Sequence, residues 1–401
     1  MVVTNDLLDG LEGGAVTAAL VGAADLTPSL DTGDITSFDL LAEVANAALT
    51  DAGIEPGAVD GLVTSSILEA PFMAASVLSE YLMLAPTFLQ HVDLGGCTGV
   101  AAVIRAAAAV EAGLCDTVLV LTAATKGVAR AGAPLGPSTV PAGYKEATPQ
   151  GVFDVPSGAT GGVFAYGMLA AVTAARCSLT EEHAYELLAR ARSAARYVPT
   201  ALHRGEPVPT LQDYLASPIT ATPLRRIDSA TSSGGASAVV VTSARKARRL
   251  PHRPVLIAGM GEHHTHRSIT NMPDLSASGG VLAASRAFKM SRLAPTSIDI
   301  AMIYDAFTYL IPRGLCEAGI TTPAQVIDVM LGETPLAVNP HGGQLGCGHT
   351  GVSAGMSLVT AAVRQVAGRD GLVQADRHDT VFVSGTGGEM STNAALVLVG
   401  D

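Results

Sequence analysis

Cysteine, charge and long apolar runs are scarce in this chain of 401 residues. Its five cysteines are scattered and include no Cys-x-x-Cys pair, a pattern typical of a reduced cytoplasmic protein without structural zinc. Charged residues make up only 15% of the chain and the net charge is -12, which argues against nucleic acid as a partner. Arg105 interrupts the most apolar segment, so no run reaches membrane-spanning length. Residues 1–14 carry acids and no basic cluster, so we expect no secretory signal there.

Nucleotide-binding and metal-binding motifs are also missing. No Gly-x-Gly-x-x-Gly or Gly-x-x-x-x-Gly-Lys-Ser/Thr sequence follows a predicted strand, which argues against dinucleotide and P-loop sites. His263, His264 and His266 are close in sequence, but no remote carboxylate or cysteine completes a ligand set for them. The sequence therefore predicts no metal and no bound cofactor.

Hydrophobic residues make up 48% of the sequence and form short apolar runs that alternate with Ala-rich segments. This alternation predicts an α/β fold with a large buried core. The predicted strands include residues 16–22, 117–122, 236–242 and 254–259. The predicted helices include residues 38–52, 97–112 and 280–293. Between about residues 126 and 228, Gly, Pro, Tyr and charged residues become common around one helical segment, 181–197, which indicates an inserted cap or loop domain.

The sequence contains the same pattern twice, in the same order. Gly96-Cys97-Thr98-Gly99-Val100 and Gly348-His349-Thr350-Gly351-Val352 differ at one position, and each opens an Ala/Val-rich stretch followed by a strand. The segments 53–63 and 292–302 also match, with proline and aspartate at equal offsets. We infer an internal duplication. Residues 1–250 are predicted to form the first half, including the insertion, and residues 251–401 the second.

Cys97 and His349 occupy the one variable position of the repeated motif, so a pseudo-twofold axis between the halves would bring them face to face. A thiol at a helix N-terminus has a lowered pKa, and a neighbouring histidine can act as its base. Each residue also has a purely structural interpretation: Cys97 can be a small buried hydrophobic residue, and His349 can cap the helix. Cys347 is either a second thiol acid or base, or a packing residue.

Two further segments can carry chemistry. Tyr304 follows the apolar segment 298–303, at the end of a predicted central strand, where polar groups commonly line α/β sites. Its hydroxyl can donate to an oxyanion or act as an acid or base, or the ring can simply pack there. The loop 384–388 is rich in glycine, and the backbone N–H groups of Gly387 and Gly388 can form an oxyanion hole or a tight turn.

Together these motifs resemble the thiolase superfamily, in particular its sterol-carrier-type and lipid-transfer-protein homologues, over nearly the whole chain. Cys97 with Gly99 is similar to the nucleophile motif, Gly348-His349 to the glycine–histidine loop and residues 384–388 to the C-terminal glycine loop. Tyr304-Asp305-Ala306-Phe307 resembles the Asn-Glu-Ala-Phe or His-Asp-x-Phe motif. The resemblance implies a duplicated five-layer αβαβα fold with an inserted loop domain. It also implies an acyl-CoA substrate, a homodimer or dimer of dimers, and a small zinc-ribbon/OB-fold partner protein.

Three departures from the family pattern bear on the reaction. Cys97 stands two residues before Gly99 instead of the usual three, which makes Gly96 the alternative occupant of the nucleophile position. The C-terminal loop has Ser384 and Gly385 where many thiolases have a second cysteine. Tyr304 matches the steroid side-chain retro-aldolases of this branch, which lack the nucleophile and use tyrosines.

Three functions remain open at this point. The first is a thiolase-type acyltransferase that cleaves or forms a C–C bond of a 3-oxoacyl-CoA, with Cys97 as nucleophile, His349 as base and Cys347 in place of the missing cysteine. Tyr304 and the loop 385–388 would assist. The alternative is a retro-aldolase on a β-hydroxyacyl-CoA, in which Tyr304 and His349 move protons without a covalent intermediate. The third is a non-catalytic acyl-CoA-binding subunit.

Overall fold

The computed structural model of the protein describes residues 17–126, 150–154, 156, 158 and 162–401. Its strands are β1 (Ala18–Asp25), β2 (Gly61–Thr64), β3 (Phe88–His91), β4 (Thr117–Ala124), β5 (Ile219–Ala221), β6 (Leu224–Arg225), β7 (Gly235–Ser243), β8 (Val255–His264), β9 (Ile300–Met302), β10 (Ala337–Val338), β11 (Thr380–Gly387) and β12 (Thr392–Gly400). Its α-helices are α1 (Ser37–Ala52), α2 (Ala74–Tyr81), α3 (Thr98–Glu111), α4 (Gly162–Cys177), α5 (Glu181–Ala195), α6 (Leu211–Ala216), α7 (Ala244–Ala247), α8 (Gly280–Ser291), α9 (Leu310–Glu317), α10 (Val326–Met330), α11 (Gly343–Cys347) and α12 (Ala354–Val366).

A ten-stranded mixed sheet has the same strand arrangement on both sides of its centre. From the central pair outward, one side runs β1-β7-β4-β2-β3 and the other runs β8-β12-β11-β9-β10. On each side the first two pairings are antiparallel and the outer two are parallel. β1 and β8 join the two sides through a short antiparallel contact. This repeated topology is what an internal duplication requires, whereas the division of the chain at residue 250 stays a prediction.

Helices cover both faces of each side and separate the two sides from each other. α1 packs on β1, β7 and β4, and α8 packs on β8 and β12. α3 and α12 pack against each other between the sides, and each contacts strands of both. Their backbones approach closely, because a Cβ atom on Gly99 would lie only 2.6 Å from Met356 Cα. The order of layers is α, β, α, β, α, which confirms the predicted five-layer fold.

Local sequence explains where the outer helices begin and end. Thr36 caps α1 and forms a capping box with Asp39, and Gly53 ends the helix in a left-handed conformation with a φ of 65°. The predicted helix 38–52 therefore matches α1 almost residue for residue. α8 ends earlier than predicted, because Arg292 adopts a left-handed φ of 58° directly after Ser291. A non-glycine residue in this conformation is not readily foreseen from sequence.

The insertion contains more helix than its sequence predicts. The expected segment 181–197 appears as α5, but α4 precedes it and was not predicted. Residues 127–149, 155, 157 and 159–161 of the insertion lie outside the described residues. Across the described ranges no single helix has the length and apolar composition to cross a membrane. α4 and α5 reach that length and composition only when taken together, and the angle between them is 109°.

Candidate active site

Tyr304 stands just beyond the C-terminal end of β9, as the sequence predicts. The preceding residue, Ile303, is fixed by both backbone groups: its N–H donates to Asn339 Oδ1 at 2.8 Å, and its carbonyl accepts from Asn339 Nδ2 at 2.9 Å. The Tyr304 N–H donates to Ser384 Oγ at 3.1 Å. These bonds hold the backbone of Tyr304 between β11 and the Asn339 loop, and only 5% of the residue is exposed.

Asp305 ties the glycine-rich loop to Tyr304. Its carboxylate accepts from the N–H groups of Gln344 at 2.8 Å and Leu345 at 3.2 Å, at the start of α11. Burial raises the pKa of Asp305 to about 7, although the backbone donors from Gln344 and Leu345 oppose the shift. This contact carries the loop that contains His349 toward the end of β9. Asp305 is part of the motif 304–307, but the sequence alone does not predict this contact with the loop.

Tyr304 and His349 meet directly. The Tyr304 Oη and His349 Nε2 atoms lie 2.9 Å apart, and the two rings are edge-on at 87°. The backbone of His349 is held on both sides, because its N–H donates to Thr231 O at 2.8 Å and its carbonyl accepts from Ser233 N at 2.9 Å. The Gly351 N–H donates to Nδ1 of the ring at 3.3 Å. The imidazole is therefore oriented by the chain before any substrate binds.

Burial sets the protonation of this pair. It lowers the pKa of His349 to about 4, with nearby Lys126 acting in the same direction. Burial also raises the pKa of Tyr304 well above its ordinary value, and the electrostatic influence of Tyr166 adds to that rise. At neutral pH the phenol is thus protonated and the imidazole is uncharged. Such a pair can donate a hydrogen bond and can also take up one further proton.

Gly96 leaves the space that the Tyr304 hydroxyl fills. A Cβ atom on Gly96 would collide with the hydroxyl, lie 2.5 Å from Tyr304 Cζ and lie 2.7 Å from the Thr386 carbonyl oxygen. Real Cβ atoms do not come so close to other heavy atoms. Any side chain at residue 96 would therefore displace the tyrosine. Of the two registers left open by the sequence, it is Gly96 that faces Tyr304.

Cys97 points into the core next to this site. The residue is 0% exposed. Burial raises the pKa of its thiol far above the usual value, Glu262 adds to the rise, and Arg105 and a hydrogen bond with Thr392 oppose it. The sequence-based expectation of a lowered pKa at a helix N-terminus is therefore wrong, because the loss of hydration outweighs the helix dipole. The role of Cys97 as nucleophile stays a prediction, and its burial and raised pKa weigh against it.

Cys347 faces a different cavity. Its thiol donates to the His341 carbonyl at 3.4 Å, and burial raises its pKa strongly. It lines a cavity of about 30 Å³ together with Asp25, His341 and Arg364, and Tyr304 is not among the lining residues. The acid/base role predicted for Cys347 stays untested, and this position favours the packing interpretation.

The C-terminal glycine loop borders the site, and a tyrosine from the insertion contacts it. A Cβ atom on Gly95 would lie 3.2 Å from the Gly388 nitrogen, and one on Gly387 would collide with the Leu94 carbonyl. Segments 94–96 and 387–388 are thus in close contact, while the oxyanion-hole role of Gly387 and Gly388 stays a prediction. The Tyr166 hydroxyl donates to the Gly388 carbonyl at 2.9 Å.

Sequence reasoning missed Tyr166. It is buried in α4, and its ring stacks on Phe307 at 4.6 Å, three residues after Tyr304. Its hydroxyl also influences the Tyr304 phenol electrostatically. The available signal was a tyrosine in an otherwise apolar stretch. That signal is weak, and the helix itself was not predicted.

The histidine-rich segment has other partners. His266 Nε2 lies 3.1 Å from the Glu389 carbonyl and His264 Nε2 lies 3.4 Å from Glu262 Oε2. Among the residues that the structure describes, no group of three or more His, Cys, Asp or Glu side chains could hold a metal ion.

Comparison with known proteins relates this geometry to a family. Residues 261–400 match the family described as Thiolase C-terminal domain-like. A solved structure of an Ltp2-ChsH2(DUF35) aldolase superposes with a TM-score of 0.82 at 26% sequence identity, covering 96% of this chain and 98% of that chain. The chain is similar to the thiolase superfamily in its C-terminal part and in its whole fold.

Within the superfamily, aldolase and lyase relatives are the more similar. The chain is 28% identical to a steroid side-chain-cleaving aldolase of Thermomonospora curvata, over 93% of this chain and 96% of that protein. It is 29% identical to a 17-hydroxy-3-oxo-4-pregnene-20-carboxyl-CoA lyase of Mycobacterium tuberculosis, over 92% of this chain and 96% of that protein. It is 25% identical to an acetyl-CoA acetyltransferase of Methanothermobacter thermautotrophicus, over 88% of this chain and 93% of that protein.

Proposed function

We propose that this protein is a retro-aldolase that cleaves β-hydroxyacyl-CoA thioesters without a covalent intermediate. One observation carries the proposal: the Tyr304 hydroxyl fills the space beside Gly96 while it is bonded to His349. A nucleophile on residue 96 is absent, and the adjacent Cys97 is buried with a raised pKa. Similarity to the steroid side-chain-cleaving aldolase and the CoA lyase supports the same choice.

The reaction needs a proton to be moved twice. A base takes the proton from the β-hydroxyl group as the Cα–Cβ bond breaks, which gives a ketone and the enolate of the shortened thioester. The enolate then takes up a proton at Cα, so that no atom or electron is gained or lost overall. Tyr304 and His349 suit this task because the neutral pair holds one mobile hydrogen bond and can accept one proton.

The C-terminal loop and Tyr166 support this pair. Gly388 lies against Gly95, and Tyr166 holds the Gly388 carbonyl. A thioester carbonyl directed at this loop would gain backbone N–H donors as the enolate forms, which is where electrostatic stabilisation is most effective. We propose a steroid ring on the substrate, since two relatives carry steroid substrates in their names.

The experiment compares two activities in the same variants. The substrates are 17-hydroxy-3-oxo-4-pregnene-20-carboxyl-CoA for cleavage and acetoacetyl-CoA with free CoA for thiolysis. We expect cleavage to a ketosteroid and a shorter acyl-CoA, measured by mass spectrometry. Tyr304→Phe should lower kcat about 10²–10⁴-fold, because it removes a group that transfers a proton. Cys97→Ala should keep cleavage near the unmodified level. Tyr309→Phe, at another buried tyrosine nearby, is the matched control.

The alternatives give different results. An acyltransferase would form an acyl adduct on Cys97, detectable as a mass increase after incubation with acyl-CoA, and Cys97→Ala would abolish turnover. A non-catalytic subunit would bind acyl-CoA and turn over neither substrate.

A partner protein is included in the assay for a specific reason. The solved relative with a TM-score of 0.82 is an Ltp2-ChsH2(DUF35) aldolase, which pairs two proteins by its name. We propose that this chain also works with a small partner, of the zinc-ribbon/OB-fold class that the resemblance to the thiolase superfamily implies. Each assay is therefore run alone and with a DUF35 protein from the same source. Loss of activity only in the unpartnered sample would support this proposal, and equal activity in both would contradict it.

A further inference from the structure

Two cysteines outside the candidate active site share one cavity. Cys177 is the last residue of α4, and Cys316 lies in the last turn of α9. Both side chains line a cavity of about 120 Å³, together with Arg176 and Arg313. Each thiol is the largest influence on the pKa of the other, so the two side chains are neighbours at this cavity. They come from distant parts of the chain, so it is the packing of α4 on α9 that unites them.

The charges around this pair make its two thiols unequal. The hydrogen bond from Cys316 lowers the pKa of Cys177 to about 7, and Arg176 and Arg313 add to the effect. The pKa of Cys316 is raised, first by the same hydrogen bond and then by burial, and Glu317 contributes to the rise. Arg313 is anchored beside the cavity, because its Nη1 donates to Leu275 O at 2.9 Å and its Nε lies 2.8 Å from Glu317 Oε1.

The other three cysteines lack these features. Burial raises the pKa of the Cys97, Cys115 and Cys347 thiols. No second thiol influences any of them. A reactive thiol needs thiolate character, and a resolving thiol beside it allows a disulfide to form. Cys177 is only 4% exposed, so a peroxide has to reach it through the cavity that both thiols line. Among the five cysteines, all of which are described, only this pair combines a lowered thiol pKa with a neighbouring thiol.

We propose that Cys177 and Cys316 form a dithiol site that a peroxide oxidises to a disulfide. The Cys177 thiolate attacks one peroxide oxygen and the O–O bond breaks, which gives a sulfenic acid on Cys177 and releases hydroxide. The Cys316 thiol then displaces the sulfenic oxygen as water and forms the S–S bond. In sum, two thiols and hydrogen peroxide give one disulfide and two molecules of water.

The bond would join the insertion to the catalytic half of the fold. α4 carries Tyr166, which holds the C-terminal glycine loop, and α9 begins shortly after Tyr304. A disulfide between Cys177 and Cys316 closes a long loop, which restricts the unfolded chain and raises the melting temperature. The modification would thus fasten α4 to α9 while both thiols remain outside the candidate active site.

The test uses the full-length protein and hydrogen peroxide. Reduced protein is treated with a small molar excess of peroxide, unfolded, alkylated with iodoacetamide and digested with trypsin and Glu-C. Glu-C is needed because Glu317 and Glu333 separate Cys316 from Cys347, which a tryptic digest leaves on one peptide. We expect a cross-linked peptide pair joining Cys177 to Cys316, its removal by dithiothreitol and a higher Tm of the oxidised protein.

Variants make the result decisive. Cys177→Ser should abolish the cross-linked pair and the rise in Tm, whereas Cys115→Ser should preserve both. Recovery of Cys177 and Cys316 as separately alkylated peptides after peroxide treatment would overturn the proposal. So would oxidation of Cys177 to sulfinic acid with Cys316 still free, because it would mean that the second thiol cannot reach the first.

Discussion

At the scale of single residues, the Tyr304 hydroxyl occupies the space that a side chain on residue 96 would need. It is held there by His349 and by the backbone bond to Ser384. At this point the candidate site therefore has a phenol and an imidazole, and residue 96 contributes no thiol. The retro-aldolase proposal depends on this missing side chain.

We expect Gly96→Ala to remove activity while Gly57→Ala leaves it intact. The added methyl group would collide with Tyr304 and with the Thr386 carbonyl, whereas a Cβ atom on Gly57 has no heavy atom within 4 Å. Overpacking of this kind costs about 1–3 kcal/mol of stability. Measurement of kcat for the hydroxyacyl-CoA substrate and of Tm in both variants checks the expectation. Normal turnover in Gly96→Ala would mean that the Tyr304 position is not needed for catalysis.

The sequence predicts part of this site and leaves the rest undetermined. Tyr304 and His349 stand out because each follows a recognisable glycine or strand signal, and the structure brings them together. The choice between Gly96 and Cys97 depends on a single turn of backbone before α3, which no pattern of residue types specifies. Tyr166 is missed because its partner, Gly388, is far away in the chain.

At the scale of secondary-structure elements, α3 and α12 approach each other closely in the centre of the fold. Gly99 and Gly355 lie at this crossing, and a Cβ atom on either would meet backbone atoms of the opposite segment. Glycine is required here for proximity, because neither residue has a positive φ. The first copy of the repeated motif thus has a packing role, through Gly99, as well as a position next to the site.

Gly99→Ala should destabilise the protein by about 1–3 kcal/mol, since Met356 backbone atoms would have to move. The intrinsic helix preference of alanine would favour the substitution by up to about 1 kcal/mol, so any loss reports the clash. Gly205→Ala is the control, because a Cβ atom there meets nothing within 4 Å. Chemical denaturation of both variants measures the difference. Equal midpoints would show that the helices separate without strain.

Elements were predictable where local signals agree. The capping box and Gly53 delimit α1, and the duplication anticipates the paired helices α3 and α12. The sequence does not predict α4 because apolar residues such as Phe164 and Met168 also lie on its exposed face, so the sequence gives no clear periodic apolar stripe. Its contacts with distant segments decide its structure.

At the scale of the whole molecule, the sheet ends at β3, and this edge lies beside exposed apolar residues. α2 packs against β3, and Leu68, Phe72, Met73 and Met83 are exposed around it. Unpaired strand edges and apolar patches are commonly covered by a second copy. The homodimer expected from sequence would cover both features.

Phe72→Asp should shift the protein toward the monomer in light scattering at micromolar concentration. Phe72 and Leu372 are both 83% exposed, so Leu372→Asp is a control of equal exposure away from this edge. We expect the control to keep the dimer mass. A monomer in the unmodified protein would contradict the assembly prediction itself.

Acid should destabilise the fold partly through His341. Burial lowers the pKa of this histidine from 6.5 to about 4. The nearby charges of Asp370 and Asp25 raise this pKa, and that of Arg364 lowers it. As the pH falls below about 6.5, the unfolded chain binds a proton on this ring and the folded chain does not, so stability is lost down to about pH 4. Asp305 changes the stability in the opposite direction as the pH falls. Its pKa is raised to about 7 in the folded protein, so the folded chain binds this proton at a higher pH than the unfolded chain does.

Comparison with a variant isolates the histidine. His341→Gln should lose less stability between pH 7 and pH 5 than the unmodified protein, by about 2 kcal/mol. The contribution of Asp305 is present in both proteins and cancels. His91→Gln, at an exposed histidine, should follow the unmodified protein. Parallel pH profiles for all three proteins would show that His341 takes up its proton equally in the folded and unfolded chains.

The volume shared by residues 96 and 304 also constrains how the protein can change over generations. Tyr304 fits its present position only while residue 96 has no side chain. A single replacement that introduces a thiol at residue 96 would meet an occupied space. A side chain at 96 therefore requires a smaller residue at 304 first, so the two positions can change only in that order.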